Sequence, residues 1–230
     1  MKLRLVATLA TFAALLTGCA VAPQLPVPMA PDTLSAKGGR IGVAMSALPA
    51  TETRFPGTGC LLCIAAASMA NSKLTTHTRT LGPEDLPKLK QQAAELIRKK
   101  GAEAVIIEEP LVVSDLPSAS QKGPNQSLKD FTALKAKYGV DKLVVFEILF
   151  LGMQRSYSSY IPTSDPKATL LGFGYLVNLS NNSFEWFAPV NIVKSSEGAW
   201  DEAPAFPGLT NAYYQTVEAG KDAFLKPLAD

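Results

Sequence analysis

Groups able to do chemistry are scarce in this chain: among 230 residues there is one histidine and there are three cysteines, and charged residues make up 18%. A lone histidine, His77, leaves a Ser-His-Asp arrangement no choice of base, and its place in the threonine-rich run 74–81 predicts a solvent-facing loop or an edge strand. With Cys60 and Cys63 it lacks a fourth ligand of the usual type, so no metal site is expected. Gly172-Phe173-Gly174 lies inside a strand-like pattern with no helix after it, which argues against a phosphate loop. Glu108-Glu109, beside Pro110, reads as a solvated edge instead of an acid/base dyad. Charge of one sign is missing too. Removal of Lys2 and Arg4 with a leader would leave basic and acidic groups equal at 20 each, which argues against nucleic acid as a partner. No run after residue 19 is long and apolar enough to span a bilayer. The expectation is a protein that is not an enzyme and carries no cofactor.

What is present begins at the amino terminus. Lys2 and Arg4 precede an apolar or small-residue run, Leu5 to Leu16, too short for a spanning helix, which is the layout of a secretory signal. The run ends in Leu16-Thr17-Gly18-Cys19, which resembles the bacterial lipobox: an apolar residue, two small ones, and a cysteine whose thiol takes diacylglycerol. The resemblance implies cleavage after residue 18, lipidation of Cys19 and a membrane partner held through that anchor. Several acyl chains make such attachment effectively permanent. Ala20, by the sorting rules of such lipoproteins, implies the periplasmic face of the outer membrane. Residues 19–39 hold Pro23, Pro26, Pro28 and Pro31 and close on Gly38-Gly39, so they read as a tether that adds little to a core. Residues 40–230 are expected to form a single globular domain.

Within it, Arg40 to Ser46 alternates as a first strand. Leu86, Leu89, Ala93, Leu96 and Ile97 recur at helical spacing after Asp85, with Gly101 just past the end. Ala104 to Ile107 fits a strand buried on both faces. Ser127 and Asp130 resemble a capping box for a helix stopped by Gly139. Lys142 to Leu151 reads as a central strand. Thr169 to Leu179 and Phe184 to Lys194 form a hairpin through Ser180-Asn181-Asn182-Ser183, its second arm an edge because Pro189 cannot donate to a ladder. Leu209, Tyr213, Val217, Phe224 and Leu228 mark a closing helix. The order β-α-β-α-β-β-β-α predicts an α/β (α+β) fold: a single-layer mixed sheet with helices packed on it.

Tyr138-Gly139-Val140-Asp141-Lys142-Leu143-Val144-Val145, a helix stop running into a central strand, and a hairpin ending in Glu185-Trp186 carry a further likeness. The pattern resembles the periplasmic α/β domain of curli-secretion-type lipoproteins, penicillin-binding-protein activator lipoproteins and the amino-terminal domain of the Tol translocation protein. Those relatives often turn the hairpin through an aspartate and Thr-Gly-Glu, where this chain has Asn182-Ser183-Phe184. The resemblance implies non-enzymatic support of secretion, peptidoglycan synthesis or envelope assembly, and it brings no catalytic residue.

Cys60-Leu61-Leu62-Cys63 is spaced to close a disulfide in an oxidising compartment; a structural bond, buried thiols and redox work are the three readings. Leu61 to Met69 is apolar and small, suited to core packing, a partner or a membrane-touching segment. Tyr157, Tyr160, Trp200 and Phe206 either fold back on the core or form a partner surface, since aromatics in loops anchor interfaces. The function expected is contact with other envelope proteins or with copies of itself. The alternatives are a thiol-redox protein using Cys60 and Cys63, and a small-ligand carrier with a pocket beneath residues 157–166.

Overall fold

The computed structural model describes residues 23–230, so the expected leader and the expected lipidation of Cys19 lie outside the described residues. Within the described residues one mixed six-stranded sheet forms from β1 (Arg40–Met45), β2 (Glu52–Arg54), β3 (Glu103–Ile106), β4 (Lys142–Gln154), β7 (Lys167–Asn178) and β8 (Ser183–Ser195). Its order is β3-β1-β4-β7-β8, parallel across β3, β1 and β4 and antiparallel from β4 to β8. A small separate hairpin pairs β5 (Tyr157–Ser158) with β6 (Ile161–Pro162). β2 continues the edge of β4 that β1 leaves, pairing Glu52 to Arg54 with Gly152 to Gln154. A side chain on Gly152 would run into the Glu52 carbonyl, so the two backbones can approach this closely only at a glycine.

β4 is apolar almost throughout because both its faces are covered. Val144 and Phe146 point to one side, under α3 (Leu89–Lys99) and α5 (Pro207–Ala229). Leu143 and Val145 point to the other, where α4 (Leu134–Tyr138), Phe131, Ile107 and Leu111 close a second core. Gly139, at φ 62°, ends α4 in the left-handed conformation that a side chain would strain. Two further helices, α1 (Leu61–Ala70) and α2 (Ser72–Thr78), follow β2.

The α/β class, the central strand, the hairpin and the closing helix agree with the sequence reading. Four details differ. Residues 23–39 are not a free tether: Val27 exchanges backbone hydrogen bonds with Phe187 on the outer edge of β8, and Leu34 is buried in the main core. β3 lies at an edge of the sheet and is only partly buried. Ser127 and Asp130 close turns with Lys129 and Thr132, so they do not cap α4, which begins only at Leu134. His77 belongs to helix α2, where its Nε2 lies 2.8 Å from Thr210 Oγ1. Its partial burial holds it below the ordinary imidazole value.

Candidate functional site

Two features distinguish the surface: an apolar end of the molecule around α1, and a cavity on the opposite half of the sheet. At the α1 end the backbone turns tightly after β2, with Gly57 at φ 87° against the Tyr157 carbonyl. Cys60 is extended and caps α1, its sulfur accepting the Cys63 N–H at 3.0 Å, and the two cysteines are joined as a disulfide across a Cα separation of 5.0 Å. Cys60 is exposed and Cys63 buried, so the outward sulfur is the one open to thiol exchange. Asn71 fastens the other end of α1. Its Nδ2 donates to Ala67 O and to the Tyr157 hydroxyl at 2.7 and 2.6 Å, and its Oδ1 accepts from Arg155 Nη1 at 2.9 Å.

The helix held this way buries little of itself. In the segment LLCIAAASMA only Cys63 and Ala67 face inward, while Leu61 is 86% exposed, Leu62 73% and Met69 78%. No charged residue interrupts it. The Tyr160 hydroxyl stands 3.8 Å from Cys60 Sγ, which sets exposed Tyr160 and Ile161 of the β5–β6 hairpin beside the start of α1.

The expected partner surface therefore divides. Tyr157 is buried against Phe55 and hydrogen-bonded to Asn71, a core role incompatible with a free contact surface. Trp200 and Phe206 stack in parallel at 6.3 Å, Arg155 covers the Trp200 ring at 4.7 Å, and both aromatics pack on the main core. This segment folds back because stacking and burial of two large rings outweigh leaving them in water. Tyr160 alone of the four is exposed, and it joins α1.

The cavity, about 610 Å³, lies over the face of β7 and β8 turned away from α5, not beneath residues 157–166. Phe131, Phe173, Tyr175, Phe184 and Phe187 are packed at centroid distances of 5.2 to 6.1 Å and form its floor. Glu147 stands at the edge of the floor, its Oε2 accepting the Tyr175 hydroxyl at 2.7 Å. Burial, and then the Glu147 carboxylate, push the Tyr175 phenol well above its ordinary value, so it remains a donor. Residues 122–129 and 23–25 make the roof. Asn182 supports it, donating from Nδ2 to Ser127 O and Lys129 O and accepting the Phe131 N–H on Oδ1.

No group of three His, Cys, Asp or Glu side chains able to hold a metal occurs among the described residues. No helix among them is long and apolar enough to cross a membrane. The cavity escaped sequence reasoning because its walls come from segments more than 150 residues apart. The alternation that puts Phe173, Tyr175 and Phe187 on one face was its only local signal.

No protein-family model and no curated protein sequence matches the chain. Among solved structures it is similar to a Xanthomonas campestris protein of the DUF330 family model (12% identity, 90% of this chain and 92% of that one, TM-score 0.41). It is also similar to PelC from Paraburkholderia phytofirmans, solved as a dodecamer (10%, 89% and 95%, TM-score 0.35), and to a lipoprotein from Neisseria meningitidis (11%, 78% and 98%, TM-score 0.31). At these identities and scores the likenesses carry no argument about function, and the groups named from the sequence stand as a resemblance.

Proposed function

We propose that this chain is a lipid-anchored protein of the bacterial envelope, held through Cys19 on the periplasmic face of the outer membrane, that supports assembly or secretion through protein contacts made at α1. The observation that carries this is the exposure of an uncharged, apolar helix pinned at both ends. A helix apolar on all sides belongs in a core or a bilayer. At ten residues α1 is about 15 Å long, half the thickness of a hydrocarbon core.

The anchor argues that the cover is protein. Pro23 is four residue steps from Cys19, a reach of at most about 14 Å, and Pro23 to Leu25 roof the cavity where Tyr175 pairs with Val145. β2, which leads to α1, pairs with β4 up to Gln154, nine residues further along, or about 30 Å. On this reading the domain stands with β4 directed away from the bilayer, so that an anchor at one end leaves α1 at the far end, free for a protein. The first occupant is a second copy of the chain. α1 has no charge that would select a complementary partner, and Ala65, Ala66, Ser68 and Ala70 let a like helix approach closely.

The test is the mass of the purified protein in detergent by analytical ultracentrifugation, beside a Leu62→Glu, Met69→Glu variant with the same thermal midpoint. An oligomer that the variant reduces to a monomer is expected. A photo-crosslinker at Leu62 that captures another envelope protein in cells, from a chain monomeric on its own, would keep the contact role and replace the partner; capture of phospholipid alone would overturn the proposal.

A further inference from the structure

The cavity over β7 and β8 has a chemistry of its own, separate from the α1 surface. Its volume, about 610 Å³, falls in the range of small-molecule sites. Aromatic faces carry the negative side of a quadrupole and attract cations, most strongly away from water. At the edge of that floor stands a carboxylate with one oxygen committed to Tyr175. Its other oxygen, Glu147 Oε1, is open to water and has no side-chain or backbone hydrogen-bond partner, and no lysine or arginine lies within ion-pair distance of Glu147 among the described residues. Neither of the two lysines that line the cavity pairs with it: the Lys129 ammonium is turned to Ser114 O and Leu116 O at 2.6 and 2.8 Å, and Lys122 stands exposed in the roof. A half-buried carboxylate beside aromatic rings, with no cation paired to it, offers a positive ligand a counter-charge and π faces at one place.

We infer that this cavity binds a small organic cation with an apolar body, its positive group between Glu147 and the rings of Tyr175, Phe173 and Phe187. Tyr175 acts as the positioning residue: its hydroxyl fixes one carboxylate oxygen and leaves Oε1 turned toward the ligand. Gln24 Nε2 and Asn125 Oδ1, 3.2 Å apart, join the two roof segments, and parting them admits a ligand to the floor.

Two probes of equal ring size and opposite charge test this on the full chain in a nonionic detergent: phenyltrimethylammonium and benzenesulfonate, titrated by calorimetry. The cation should bind saturably in the millimolar range or tighter, the anion not at all, and Glu147→Gln should weaken the cation roughly tenfold. Phe187→Leu should weaken it as well, which locates the site. Should Glu147→Gln fail to fold, the comparison of cation with anion on the unaltered protein still decides. Equal response to both probes, an undiminished affinity in a folded Glu147→Gln variant, or no saturation by the cation up to about 10 mM would each overturn the inference. None of these results depends on whether α1 self-associates.

Discussion

Asn182 ties the hairpin to the roof of the cavity, and its removal is the sharpest test of how that half of the molecule is held. The residue is 7% exposed and sits at φ 60°, a conformation that asparagine tolerates and alanine does not. Its side chain accepts the Phe131 N–H at 2.9 Å and donates to Lys129 O at 2.9 Å and to Ser127 O at 3.3 Å. Three hydrogen bonds at about 1 kcal/mol each, with the Phe131 N–H left buried and unpaired, amount to about 3 kcal/mol. Alanine adds about 1 kcal/mol for its left-handed backbone. Asn182→Ala should therefore cost about 4 kcal/mol and Asn182→Gly about 1 kcal/mol less. Asn182→Asp retains the acceptor for Phe131 but sets an anionic oxygen against two carbonyls, so that variant should gain stability as the pH falls and its carboxyl takes up a proton. Urea unfolding followed by far-ultraviolet circular dichroism measures all three. If Ala and Gly both fall within about 1 kcal/mol of the parent, or Gly is the worse of the two, the reasoning fails.

Reduction of the Cys60–Cys63 bond should lower stability by about 2 kcal/mol, the chain-entropy value for so short a loop, a drop of about 4 to 8 °C in Tm for a domain of this size; a thermal scan with and without dithiothreitol reads it. A stable mixed disulfide between Cys60 and another protein in a Cys63→Ala strain would move the pair from structure to redox work. Cys19→Ser should abolish labelling with radioactive palmitate, and a labelled variant would refute the anchor. The Arg40 backbone N–H, and then Lys135, hold the Asp141 carboxyl below its ordinary value of 3.8. A depressed carboxyl contributes stability above its ordinary value and loses it as the pH falls through the lowered one. The gap between the parent and Asp141→Asn should therefore be steady near neutrality and close below pH 3.8; a gap that widens in acid would contradict the assignment.

Much of the sheet is legible because burial on both faces makes β4 continuously apolar and because Pro189 and the turn at Asn181-Asn182 mark an edge hairpin. The helix α3 declares itself through apolar spacing. By contrast α2 is rich in threonine, whose β-branched side chain weakens any local helical signal, and Leu74 and Thr78 are held by tertiary contact. The prolines at 23–31 signal extended chain correctly but do not reveal what that chain lies against. Nothing near Val27 specifies Phe187, and nothing near Trp200 specifies Arg155, so clip and fold-back are both long-range choices. The candidate sites divide the same way: the disulfide spacing and the apolar run of α1 can be read directly, whereas Glu147 gains meaning only beside Tyr175.

The clip between Val27 and Phe187 also orders events in time. Given the anchor proposed at Cys19, the segment up to β1 is the first part of the body to be exported, but the strand it must meet is the penultimate element to be made. Until β8 forms, residues 19–40 are a leash of roughly 70 Å at full extension, and the unfolded body can wander that far from the surface. Closing the clip is a contact of large sequence separation, late and slow by its loop-closure cost. When it closes, the leash shortens to the four residues before Pro23, and a domain anchored as proposed is drawn in toward the bilayer. Completion of folding would thus be reported mechanically, as a change in height above the membrane.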